Sequence, residues 1–167
     1  CSKMQRKAIG VDLNPISTFI VNNTINKIDL SLLEKNFDRI FNKNKKKYES
    51  FYFSKCEKCK SNAIIENSVW KEQLFYSIKI RCKNCGNLVK KADASDRKLL
   101  KKISSIFNKE KNNFYYPKEK ILKYVKRSDK THMDMLFTER ALIILGNINK
   151  DIQKITKKKI KDNLKLC

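Results

Sequence analysis

Four cysteines constrain this chain more than any other feature. Cys56 and Cys59 form one Cys-x-x-Cys pair, Cys82 and Cys85 form a second, and 22 residues lie between the pairs. This is close to the two-knuckle spacing of a tetrahedral four-cysteine zinc site. Two residues between ligands let a tight turn aim both sulfurs at one ion, and Gly86 supplies the positive φ that such a turn often requires. Lys55, Lys58, Lys60, Arg81 and Lys83 sit beside the cysteines and favour the thiolates. Ile64, Ile65, Val69, Trp70, Phe75, Ile78 and Ile80 between the pairs are strand formers, so a zinc ribbon is expected. Unrelated reduced thiols and a redox pair are the competing readings. Four protein ligands close the coordination sphere, which makes the zinc structural and assigns it no chemistry.

Cys1 and Cys167 stand at the two ends, a distribution that suits metal binding and a reducing compartment better than a disulfide framework. No run approaches the ~18–20 apolar residues needed to cross a bilayer, and the opening residues lack the apolar core of a signal peptide. A soluble, cytoplasmic protein with no membrane partner is expected. The opening on Cys instead of Met, and the closing lysine-rich helix, suggest a fragment.

Lys and Arg number 39 against 17 Asp and Glu, a formal charge of +22. Such an excess attracts polyanions, and nucleic acid is the expected partner. A codon-level preference for A and T is the competing account of the Lys, Asn and Ile content, so the charge needs corroboration. Candidate phosphate contacts are Lys43, Lys45, Lys46 and Lys47 before the cysteines, and Lys90, Lys91, Arg97 and Lys98 after them. A plain solvated side chain is the alternative at each.

Ala8-Ile9-Gly10-Val11 reads as a short buried strand ending at Asp12. Asn14-Pro15 opens a helix to about Thr24. Ser31 and Glu34 have capping-box spacing ahead of a second helix with Leu32, Leu33, Phe37, Ile40 and Phe41 on one face, and a solvated basic break follows over residues 42–47. Asp93 to Ser95 offer caps for a third helix presenting Leu99, Leu100, Ile103, Ile106 and Phe107 together. Phe114-Tyr115-Tyr116-Pro117 reads as a docked loop, and a long amphipathic helix runs from about Thr138 to beyond Ile155. His132, the one histidine, reads as a surface or loop residue instead of a ligand or base.

An acidic side chain at the tip of the second strand of a nucleotide-binding α/β fold accepts hydrogen bonds from ribose hydroxyls, and Asp12 stands where such a strand would end. A plain Asp/Asn turn explains the same residues. Arg6-Lys7-Ala8-Ile9-Gly10-Val11-Asp12-Leu13-Asn14-Pro15 resembles the second S-adenosylmethionine motif of amino-methylating (N4-cytosine/N6-adenine) DNA methyltransferases. Tyr52-Phe53, the two cysteine pairs, Trp70, Tyr116-Pro117 and Leu136-Phe137-Thr138-Glu139-Arg140 follow in an order similar to that of a zinc-ribbon-containing branch of prokaryotic and phage enzymes.

The resemblance implies an α/β fold: a partial Rossmann-like methyltransferase core over residues 1–48, an inserted zinc ribbon over 49–92, and a helical segment returning to the core over 93–167, with long flanking helices. It implies S-adenosyl-L-methionine as cofactor, Asp12 on its ribose, Leu13 against its adenine, and Asn14 and Pro15 shaping the turn. DNA and the remainder of the methyltransferase, as the same chain or a complementary subunit, are the implied partners. The family's Gly-rich cofactor loop and its Asp-Pro-Pro-Tyr type catalytic motif do not occur among the 167 residues, so no catalytic residue is assigned. A zinc-ribbon nucleic-acid-binding protein without enzymatic activity is the competing function, and a degenerate or split product that scaffolds another subunit is a third. For Glu139 and Arg140 a helix-start salt bridge competes with an approach to the active site, and for Trp70 packing on a small zinc core competes with stacking on a base.

Overall fold

The computed structural model describes residues 9–71, 74–121 and 130–166. Arg6, Lys7 and Ala8 of the cofactor-like motif, and the terminal Cys1 and Cys167, lie outside the described residues. The chain divides into two compact units, one within residues 1–39 and 152–167, the other within 40–151.

The larger unit is built on four strands: β1 (Phe53–Lys55), β2 (Asn62–Lys71), β3 (Leu74–Cys82) and β4 (Gly86–Lys91). They form one antiparallel meander in the order β1-β2-β3-β4. Alternation along β3 sends Ile78, Ile80 and Cys82 to the covered face while Lys79 and Arg81 stay exposed, and a register shift opposite Val69 and Trp70 lets Phe75 be buried as well. Ala63 and Ile65 of β2 join the same core. On the outer face Glu66 of β2 pairs with Arg81 and Lys79 of β3 at 3.1 and 3.7 Å.

Helix α3 (Ala94–Glu110) starts where the caps predicted it. Asp93 accepts from the Ser95 and Asp96 N–H groups, and Asp96 accepts in return from the Asp93 N–H, a complete capping box. Leu100 leans on the sheet core, and buried Ile103 joins Phe51, Phe114, Tyr116, Leu142 and Ile143 in a second core. The aromatic loop is therefore docked as expected, and only Tyr115 of its three rings faces outward. A 3₁₀ turn (Met133–Leu136) leads into α4 (Glu139–Gln153).

In the smaller unit α1 (Pro15–Ile25) packs against α5 (Lys158–Leu164), where Asn163 donates to Asn23 at 3.2 Å. Helix α2 (Leu30–Ser50) begins in this unit and runs into the larger one.

Five expectations are corrected. Residues 9–13 form no strand, and Ile9 and Val11 are more than nine-tenths exposed. A strand needs a neighbour for its backbone hydrogen bonds, and none of the four described strands pairs with this segment. The described residues thus form a mixed α/β protein of five helices and a four-stranded antiparallel sheet, without the parallel sheet of a Rossmann-like core. The basic break at 42–47 is instead continuous helix within α2, because lysine is a good helix former and no Gly or Pro interrupts it. That helix is capped by Asp29, whose Oδ1 accepts from the Leu32 N–H at 3.0 Å, and not by Ser31. The last long helix stops at Gln153 and resumes as α5, because β-branched Ile155 and Thr156, set among Lys154 and Lys157, hold the helical path poorly.

Candidate metal centre and nucleic-acid interface

Pairing in the sheet brings the two cysteine pairs together. Cys56 and Cys59 lie in the β1–β2 connection, Cys82 ends β3 and Cys85 lies in the β3–β4 turn. The β2–β3 register sets Ala63 opposite Cys82, so the start of β2 and the end of β3 present their loops at one edge. All four Sγ atoms lie within 4.8 Å of one another. Zinc–sulfur bonds of about 2.3 Å in a tetrahedron place sulfurs about 3.8 Å apart, so the cluster fits a single ion.

The two knuckles share a local design. The Cys56 carbonyl accepts from the Lys60 N–H at 3.0 Å, and Lys60 takes the left-handed backbone at φ 59°. Gly86 holds the corresponding place after Cys85 with φ 73°. Glycine at 86 was legible; the left-handed lysine at 60 was not, and its position directly after the pair is the signal that marks it.

Hydrogen bonding prepares the sulfurs for metal. The Ser61 hydroxyl and backbone pull the Cys59 thiol down to about 6, and the same hydroxyl lowers Cys82. Cys85 is pushed up to about 12, first by its hydrogen bond with Cys59 and then by burial. A metal bound here would have to displace the proton that Cys85 holds more tightly. Ser61, whose Oγ is 2.9 Å from the Cys59 sulfur and 3.4 Å from that of Cys82, is a supporting residue that the cysteine pattern does not reveal.

The eight candidate phosphate contacts separate sharply. Lys90 is a correction: its side chain is 1% exposed and bonded to Asp93 and Asp96, so it faces no ligand. Lys43 pairs with Asp151 at 2.9 Å and Lys47 with Glu110 at 3.1 Å, while Lys45 sits over the Phe41 ring. Lys46, Lys91, Arg97 and Lys98 are exposed. Lys58, Lys60 and Lys83 add exposed cations on the knuckles themselves.

Asp12 lies on a groove of about 500 Å³ with Gly10, Ser17, Thr18 and Asn22 among its walls. Its Oδ1 accepts from the Asn14 N–H at 2.7 Å. Asn14 in turn caps α1 by accepting from the Ile16 N–H at 2.9 Å, and Pro15 occupies the first turn. Leu13 is fully exposed and does not line this groove.

His132 is not part of the thiol cluster: its backbone bridges Lys120, and its Nδ1 is 2.9 Å from the Thr131 hydroxyl. Glu139 and Arg140 form no salt bridge with each other. Glu139 accepts from the Ser104 hydroxyl, whereas Arg140 is buried, 3.4 Å from the Phe51 carbonyl and 4.4 Å from the Tyr52 ring centre. Trp70 stands at the end of the β2–β3 hairpin away from the cysteines, 45% exposed, with its ring tilted on Phe75, a member of the buried core that also contains Cys56 and Cys82. Among the described residues no helix is long and apolar enough to cross a membrane. Comparison with protein-family models, curated proteins and solved structures finds no match to this chain.

Proposed function

We propose that this chain is the zinc-ribbon-bearing, DNA-engaging part of an S-adenosylmethionine-dependent DNA methyltransferase that methylates an exocyclic amino nitrogen of a base. One observation carries the reading: the four-thiol cluster sits, in chain order, where the zinc-ribbon branch of these enzymes has its ribbon, between the Asp12 motif and the Leu136–Arg140 segment. Structural zinc would be held by Cys56, Cys59, Cys82 and Cys85, fixing the turns that carry Lys58, Lys60 and Lys83. These cations and the α3 face with Arg97 and Lys98 would hold phosphates while the target base leaves the stack.

S-adenosylmethionine supplies the methyl group when bound. Asp12 would accept a ribose hydroxyl, and its Oδ2, free of partners among the described residues, supports that role. Leu13 would meet the adenine, and Asn14 and Pro15 would hold the turn. The Rossmann-like core, the Gly-rich loop and the catalytic motif would come from the remainder of the methyltransferase, as the same chain or a complementary subunit.

A second reading, a zinc-ribbon nucleic-acid-binding protein without catalysis, is favoured by the exposure of Ile9, Val11 and Leu13 and by the local turn that engages Asp12. Calorimetric titration of the complete reading frame with S-adenosylmethionine separates the two. The methyltransferase reading expects binding that Asp12→Ala weakens about tenfold, the loss of one charged hydrogen bond. Absence of any binding leaves the second reading.

A further inference from the structure

Arg140 is a buried cation without a carboxylate. It is 6% exposed, and no acidic side chain among the described residues pairs with it. Its contacts are a backbone carbonyl at 3.4 Å and the face of Tyr52. A guanidinium offers five donors, and removing it from water is costly unless an anion and further hydrogen bonds compensate. Burial alone lowers its proton affinity, with only Tyr52 acting against this.

Arg140 also lines a groove of about 750 Å³ within the larger unit, together with Trp70, Leu100, Lys101, Ser104 and Glu139. The volume falls in the range of small-ligand sites. Three features meet there: a half-exposed indole, an apolar floor from Leu100 and Ile103, and two cations from Lys101 and Arg140. Glu139 is the acidic lining residue, and its carboxylate is already engaged by the Ser104 hydroxyl. Indole stacks on any nucleobase, and a guanidinium matches phosphate in a forked geometry.

We propose that the groove between Trp70 and the start of α4 holds one unstacked nucleotide, its base on the Trp70 indole and its phosphate on Arg140 and Lys101. The proposal rests on the nucleic-acid reading above and gives it a location. A nucleotide within an unpaired strand and a free mononucleotide share this chemistry.

Trp70 is the one tryptophan in the chain, so its fluorescence reports on this groove alone. The zinc-loaded protein is titrated with a dye-labelled eight-nucleotide single strand, following dye anisotropy and Trp70 emission together, and in a second arm with dAMP. Binding is expected to quench Trp70. Lys101→Gln, on an exposed side chain, is expected to weaken the quench about tenfold, the loss of one charged hydrogen bond. Arg140→Lys, which keeps the charge and loses the fork, is expected to do the same with an unchanged circular dichroism spectrum. Tighter quenching by the strand than by dAMP assigns the site to a strand, and equal affinity assigns it to a free nucleotide. An anisotropy rise without Trp70 quenching, or quenching that Lys101→Gln leaves unchanged, overturns the groove while the nucleic-acid reading stands. No anisotropy change and no quenching with either ligand overturns both.

Discussion

The ammonium of Lys90 lies 2.9 Å from the Asp96 carboxylate with both side chains 1% exposed, a buried ion pair that fastens β4 to the first turn of α3. Asp96 is fully satisfied: it also accepts from the Ser54 hydroxyl at 2.6 Å and from the Asp93 N–H at 3.1 Å. Removing one partner strands a buried charge, whereas removing both removes that charge but leaves the Ser54 hydroxyl and the Asp93 N–H without their acceptor. Lys90→Met is therefore expected to cost about 3–5 kcal/mol in chemical unfolding of the zinc-loaded protein. The double variant Lys90→Met with Asp96→Leu is expected to recover only the part due to the stranded charge, because the Ser54 hydroxyl and the Asp93 N–H lose their acceptor. Additive losses in the double variant would show that the pair is not the source.

The same cluster sets an acid limit. Burial opposes ionisation of Asp93, but the Lys90 ammonium, the Ser95 hydroxyl and the Asp96 N–H hold its carboxyl far below the usual carboxylate range. Burial likewise opposes charge on Lys90, yet Asp93 and Asp96 raise its proton affinity. A lowered carboxyl contributes stability that is present above its unfolded value of about 3.9 and is lost as pH falls toward the folded one. A raised amine contributes below its unfolded value of about 10.4 and is lost at higher pH. Stability from this cluster should be flat between roughly pH 5 and 9 and fall below about pH 4, and Asp93→Asn should remove that acid-side slope. Any metal held by the four thiols would also dissociate on acidification, so the comparison is made between the two proteins at each pH, with metal content monitored.

Much of this was legible in the sequence where pattern and local chemistry agree. The cysteine spacing and the strand formers between Cys59 and Cys82 led to the ribbon, and Asp93 led to the start of α3. Lys90 was misread as a surface cation because charge outweighed periodicity: Leu88 and Lys90 share one face of β4, and Asp93 and Asp96 follow at capping spacing. Residues 9–13 look like a strand because their apolar run is strand-like, but strands exist only with partners, and partner choice is not a local property. The helix through residues 42–47 shows the reverse error, a charge run taken as a break when its residues favour helix.

Gly146 on α4 permits a close approach that sequence alone does not signal. A methyl group added there would overlap the Cδ2 edge of the Phe114 ring. Gly146→Ala gains helix propensity, so without the ring it would stabilise by up to about 1 kcal/mol. Overpacking against buried Phe114 is expected to reverse the sign, with a net loss of about 1–3 kcal/mol. Thermal unfolding of Gly146→Ala alone and combined with Phe114→Leu measures this, and the penalty should shrink in the combination.

The two knuckles predict an asymmetry. At Gly86 a side chain must adopt φ 73°, so Gly86→Ala is expected to lower stability by about 1 kcal/mol after allowance for unfolded-state entropy. At Lys60, already left-handed at φ 59°, Lys60→Gly relieves the same conflict and is expected to cause no loss. Equal destabilisation by both substitutions in urea unfolding would contradict the shared turn design.

A metal held by Cys56, Cys59, Cys82 and Cys85 would join the two knuckles. Elemental analysis of the chain purified without added metal, alongside Cys82→Ser, tests this most directly. One zinc per chain in the parent protein, with loss of the metal and of ribbon protection from hydrogen exchange in Cys82→Ser, is the predicted result. A parent protein free of zinc that still protects β2 and β3 from exchange would contradict it.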